Sequence, residues 1–202
     1  MARQSPFGAH GHYVVDVATG AIGAGMAADG QLFHFRWTNT DNLAVVYEIS
    51  VTGMRATTAF AAGAIDLKAT KARAWTAVGS GGTALTLTTD EAQLRTNMDT
   101  SLVGDARVAT TAALTAGTHT LDTQDIGRIT THSSGGVGAA TPIIGSIYLP
   151  TTELFTADLE SGEYPLVLSA NEGFVVRATV PATGVWNLGI RVKWAEASES
   201  RF

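Results

Sequence analysis

The 202-residue chain contains no cysteine. Disulfide staples, thiolate zinc sites and cysteine nucleophiles are therefore excluded, whatever redox compartment it occupies. Charge is scarce as well: 15% of the residues are charged, the formal net charge is -5, and no stretch gathers Lys and Arg into a patch. Such a chain repels a phosphate backbone, which predicts no direct nucleic-acid partner. Nowhere do roughly 18 apolar residues follow one another, so no membrane partner is expected. The opening MARQSPFGAHGHYVV lacks a cationic segment leading into an apolar one, which predicts a chain not exported by the usual signal.

What is present is glycine, threonine, alanine and short alternating apolar runs, with hydrophobic residues making up 45% of the chain and 22 glycines. That composition excludes a wholly disordered chain and favours strands and tight turns. In QLFHFRWTN, Phe33, Phe35 and Trp37 fall on one face of a strand and Leu32, His34 and Arg36 on the other. After the turn signal NTDN (Asn39 to Asn42), LAVVYEISVTG puts Leu43, Val45, Tyr47, Ile49 and Val51 on one face. The two runs read as an antiparallel hairpin with one dry face. Weaker strands are expected at Arg55 to Phe60, Ala64 to Ala69, Arg73 to Ala77 and Thr83 to Thr88, with GSGG as a turn. Others follow at ARVATTAAL, THTLDTQDIGRITT, PIIGSIYLP, YPLVLSA, GFVVRATV and GVWNLGIRVKWAE. One short helix is expected at DEAQLRTNMDTS, where Leu94, Met98 and Leu102 recur every four residues. Strands about ten residues apart with hardly any helix predict an all-β, antiparallel sandwich or jelly-roll-like domain. Residues 1–30, rich in glycine and alanine, read as an extended N-terminal arm with one short strand, and residues 31–202 as a single β domain.

No arrangement of chemistry-bearing residues reaches a site. His10 and His12 in AHGHY could share a metal, but a third ligand would have to come from His34, His119 or His132, far away in sequence, so no metal is expected. HSSGG at His132 lacks the glycine that precedes the serine of a nucleophile elbow. Carboxylate pairs such as Asp90 with Glu91, Asp122 with Asp125, or Glu160 with Glu163 are ordinary loop acids unless two of them face one groove. GSGGTALT has neither the lysine nor the helix of a phosphate-binding loop, so no cofactor is expected. The aromatic residues Trp37, Trp75, Trp186, Trp194, Phe33 and Phe35 are the remaining candidates, assigned to the core or a subunit interface because each falls within a strand pattern. In the last strand Trp186, Leu188, Ile190, Val192 and Trp194 share a face. NEGFVVRATVPATGVWNLGIRVKWAE as a whole reads as a sheet-closing hairpin.

The segments RWTNTDNLAVVYEISVTGMRATTAFAAGAIDL, KATKARAW and LVLSANEGFVVRATVPATGVWNLGIRVKWAE resemble virion structural proteins of tailed bacteriophages, of the capsid-decoration or cement type. The resemblance covers most of the chain after Gln31 and rests chiefly on NEGFVVR and the terminal WAE. It implies a non-enzymatic β-sandwich or jelly-roll-like subunit, assembled in the host cytoplasm and displayed on the virion surface. The partners implied are copies of itself, most simply in a trimer, and the major capsid protein. A neck, tail or fibre component, a carbohydrate- or receptor-binding module, and a glycan-degrading enzyme are the alternatives. An exposed tryptophan would mark the binding module, and two carboxylates facing one groove the enzyme.

Overall fold

A computed structural model describes residues 11–23, 26, 29–58, 60–88, 92–95, 98–134, 147–157 and 162–198, with the backbone alone for Ser134 and residues 147–149. The chain is an all-β sandwich of two antiparallel sheets. The first sheet has the order β1 (Gly11–Ala18), β13 (Val185–Ser198), β4 (Asn42–Thr58), β10 (Thr152–Thr156). The short β2 (Ile22–Gly23) joins it on β13, and β9 (Ile147–Leu149) and β11 (Leu166–Leu168) join it on β4. The second sheet runs β6 (Thr83–Ala84), β7 (Asp105–Val108), β3 (Gly30–Trp37), β12 (Glu172–Thr179), β5 (Ala62–Ala77), β8 (Thr118–Ser134).

Taking the eight principal strands in chain order, the first pairs with the last (β1 with β13), the second with the seventh (β3 with β12), the third with the sixth (β4 with β10) and the fourth with the fifth (β5 with β8). The chain is thus doubled back on itself and rolled up, which is the jelly-roll arrangement. Consecutive strands therefore mostly lie in opposite sheets. This corrects two expectations: β3 and β4 do not form a hairpin, and neither do β12 and β13. Asn39 to Asn42 instead forms an arch between the sheets, in which Asn39 Oδ1 accepts hydrogen bonds from the amides of Asp41 (2.9 Å) and Asn42 (2.8 Å). The physical reason is that both dry faces are satisfied equally well by facing each other across a core as by lying side by side.

The short strand expected within residues 1–30 is β1: from Gly11 to Ala18 it pairs with β13 over its whole length, and Tyr13, Val15, Ile22 and Met26 are buried in the core. Residues 1–10 of the expected arm lie outside the described residues. The anticipated helix is not formed among the described residues of that segment. Gln93 instead makes a β-bridge to Tyr13, and Leu94 and Leu102 are exposed. Edge pairing with β1 has won over a helical periodicity too short to be stable alone.

The core lies between the sheets. Phe33, Phe35 and Trp37 of β3 and Phe174 and Val176 of β12 meet Ile49, Val51 and Met54 of β4 and Trp186, Leu188, Ile190, Val192 and Trp194 of β13. The face assigned to β13 from its sequence is the one found. That assigned to β4 is split: Ile49 and Val51 enter the main core, whereas Val45 and Tyr47 pack with Ala195 and Ala197 on the opposite side of the sheet. The cause is a bulge. Lys193 pairs with Glu48 and Trp194 with Val46, so Tyr47 is an extra residue in β4 that reverses its alternation.

Candidate functional site

Of the six aromatic candidates, five line the inter-sheet core and all are fully buried. Phe35 stacks on Phe174 at 5.4 Å and meets Trp194 edge-on at 5.2 Å, joining the two sheets, and Tyr13 stacks on Trp194 at 5.5 Å. Trp75 is the exception. Ala74 adopts a left-handed conformation (φ 49°) at a register break in β5, which turns Trp75 onto the outer face of the second sheet with Ala72, Val175 and Leu121. Since no tryptophan is exposed, none offers the stacking platform that a sugar-binding module would build from tryptophan.

Two histidines that the sequence left unassigned flank Trp75: His34 at 5.3 Å between ring centroids and His119 at 4.5 Å. His34 Nε2 donates to Asp105 Oδ2 at 2.7 Å, and the Nδ1 atoms of both histidines are buried with no hydrogen-bond partner among the described residues. Protonation would give His34 an Nδ1–H with no described acceptor, and would put a hydrogen on the His119 Nε2 that faces the Gln31 side-chain nitrogen at 3.4 Å. Burial accordingly holds both below the ordinary histidine value; Asp105 opposes this for His34, while Arg107 reinforces it, and Arg177 does so for His119. The unfolded chain therefore binds more protons than the folded one below about pH 6.5, and stability falls as the pH drops through that value. The melting temperature is expected to fall between pH 7.5 and 5 by circular dichroism, and by less in His34→Gln. An unchanged pH slope in that variant would remove His34 as the cause.

His132 and Ser133 are not brought together as base and nucleophile. They are consecutive residues of β8, one exposed and one buried, and so project to opposite faces. His10, Asp90, Glu91 and Glu160 lie outside the described residues. Among those described, no three His, Asp or Glu side chains are grouped to hold a metal. His12 packs edge-on against Tyr47 at 6.2 Å.

The two sheets part along two seams, and each seam has a groove. The first, about 380 Å³, runs beside edge strand β1 and is walled by Val15, Val17, Leu85, Leu87 and Ala92. The carbonyl of His12 faces outward to accept from the amide of Leu94 at 3.1 Å. Alternation places the main-chain groups of Asp16 on the same outer edge, where no hydrogen bond from a described residue reaches them.

The second seam joins β8 to β10 and the approach to β11, and it has a groove of about 300 Å³. Tyr164, Pro165, Leu166, Phe155 and Ile126 make an apolar wall, and Lys71, Asp122, Gln124 and Asp125 a polar one. Tyr164 is 90% exposed, in contrast to every tryptophan. Asp122 receives a hydrogen bond from Arg73 Nε at 2.8 Å and lies 3.4 Å from Lys71, and the bond from Arg73 holds its carboxyl below the usual range. Asp125 accepts from Thr70 Oγ1 at 2.7 Å and pairs with Arg128 and Arg177. The pair Asp122 and Asp125 therefore does face one groove. The sequence offers this pair but not the apolar wall opposite it, for which the usable signal is Tyr164 before Pro165, since proline interrupts strand pairing and leaves a neighbouring ring outside the alternation.

No family model matches this chain, and no curated protein matches it.

Proposed function

We propose that the chain is a non-enzymatic structural subunit of a tailed-phage virion, a cement or decoration protein that forms a trimer and braces the head by contact with the major capsid protein. The observation that carries this reading is the seam at β1. An edge strand on which no described residue meets the main-chain groups of Asp16, beside an apolar groove, offers a neighbouring chain both hydrogen bonds and buried area. Most of the other surface chemistry is already committed internally, as in the Arg191 pair with Asp16 at 2.6 Å and the Arg73 pair with Asp122. In the Tyr164 groove the hydrogen bond from Arg73 holds the Asp122 carboxyl below the usual range, which does not suit it to the proton-donor role of a glycosidase.

Light scattering on the purified chain tests the assembly reading. A trimer of 21.0-kDa chains is expected, co-sedimenting with capsids assembled from a tailed-phage major capsid protein. Asp16→Pro is expected to weaken assembly, because proline removes an outward-facing amide of β1. A monomer that leaves such capsids unbound would end the cement reading. The arm is tested by deleting residues 2–10 alone, since a deletion reaching Gln31 would remove β1 and part of the core.

A further inference from the structure

We propose that the Tyr164 groove is a binding site for a neutral saccharide of one or two pyranose rings. Three features converge on that class. The first is the shape of its chemistry. A pyranose has an apolar face of C–H groups and a rim of hydroxyls, and this groove sets an aromatic and aliphatic wall against one made of carboxylates, an amide and an ammonium group. Its volume of about 300 Å³ is at the small end of the range in which proteins hold small ligands.

The second feature is Tyr164. A tyrosine ring exposed to 90% leaves nearly all of its apolar surface in water, and stacking on a sugar removes that surface while the hydroxyl stays solvated. It differs in this from the tryptophans and from the described core phenylalanines, which are wholly enclosed.

The third feature is the charge balance, which separates neutral sugars from anionic ones. Asp122 is matched by Arg73 and Lys71, and Asp125 by Arg128 and Arg177. Each cation near the groove is thus already facing a carboxylate, so a phosphate or a sugar acid would have to displace an existing pair. A hydroxyl needs no such exchange: it donates to a carboxylate lone pair left over from the ion pair, or accepts from the side-chain amide of Gln124. Gln124 is exposed, and no described residue hydrogen-bonds its side-chain amide, which can both donate and accept.

The groove is also firmly based. Gly127 of β8 packs so closely on the backbone of Leu154 in β10 that no side chain fits between them. The polar residues of β8 and Phe155 of β10 are thereby held at a fixed spacing at the base of the groove, which limits the ordering cost of binding.

The experiment is an NMR titration of the full chain, labelled with nitrogen-15, with methyl α-D-glucopyranoside, methyl β-D-galactopyranoside, maltose and methyl β-D-glucuronide. Each is taken to about 50 mM, above the millimolar Kd typical of a shallow site. The expected result is saturable shifts of the Gln124 side-chain amide and of backbone amides around Tyr164 with at least one neutral sugar. Tyr164→Ala should weaken that affinity tenfold or more, and its exposed position leaves the remaining spectrum unchanged. The absence of saturable shifts with all three neutral sugars would overturn the proposal. So would equal affinity in Tyr164→Ala, or tighter binding of the glucuronide than of any neutral sugar. These outcomes do not depend on whether the chain assembles on a capsid, so failure here leaves the cement reading intact.

Discussion

Trp194→Ala is expected to lower the unfolding free energy by about 3–5 kcal/mol, the cost of emptying a fully packed indole site. The residue is wholly buried, stacked on Tyr13 of β1 and met edge-on by Phe35 of β3, so its ring is shared by both sheets and by two neighbouring strands of one. Its Nε1 donates to Glu196 Oε1 at 3.2 Å, a carboxylate that also accepts from Ser101 Oγ at 2.7 Å and from the amide of Leu102. Truncation therefore removes core volume together with one donor to a buried carboxylate, and domains of this size are stable by only about 5–15 kcal/mol. Urea unfolding followed by circular dichroism measures the loss. Trp194→Phe should keep most of the ring contacts and cost roughly half as much. A loss below about 1 kcal/mol for the alanine variant would show that the indole is not part of a close-packed interior.

Gly127→Ala is expected to cost about 3 kcal/mol or more, although it adds a single methyl group. A Cβ at this position would lie 1.6 Å from the carbonyl oxygen of Leu154 and 2.6 Å from its carbon. Both obstacles are backbone, so no rotamer change relieves them, and β8 must draw away from β10. The comparison is Gly23→Ala, where an added Cβ meets nothing within 4 Å and the change should stay within about 0.5 kcal/mol. Parallel urea melts of the two variants decide the matter, and equal stabilities would mean that the seam yields without strain.

Strands were legible in the sequence wherever alternation was unbroken, as along Trp186 to Trp194, because one buried face fixes a period of two. Pairing was not legible. Residues 31–37 and 43–51 carry the same local pattern whether they lie side by side or face each other, and only the distant partners β12 and β13 decide. Bulges were equally hidden. Tyr47 reverses the faces of β4, and the left-handed Ala74 moves Trp75 out of the core, with no glycine at either position to signal it. The Tyr164 groove escaped for a related reason: its walls come from β5, β8, β10 and the approach to β11, which no window of sequence brings together.

The pairing of first strand with last has a consequence for the order of events during synthesis. Asp16 and Arg191, joined across β1 and β13, are 175 residues apart, and β13 is also the inner neighbour of β4 along nearly its whole length. Until β13 has been made, β1 and β4 have no strand to lie between them, and their apolar faces wait for it. Closure of the first sheet is thus late relative to the other strands and carries a large loop-closure cost, which places this domain among slow folders and makes the arrival of β13 the step that commits it to the native state.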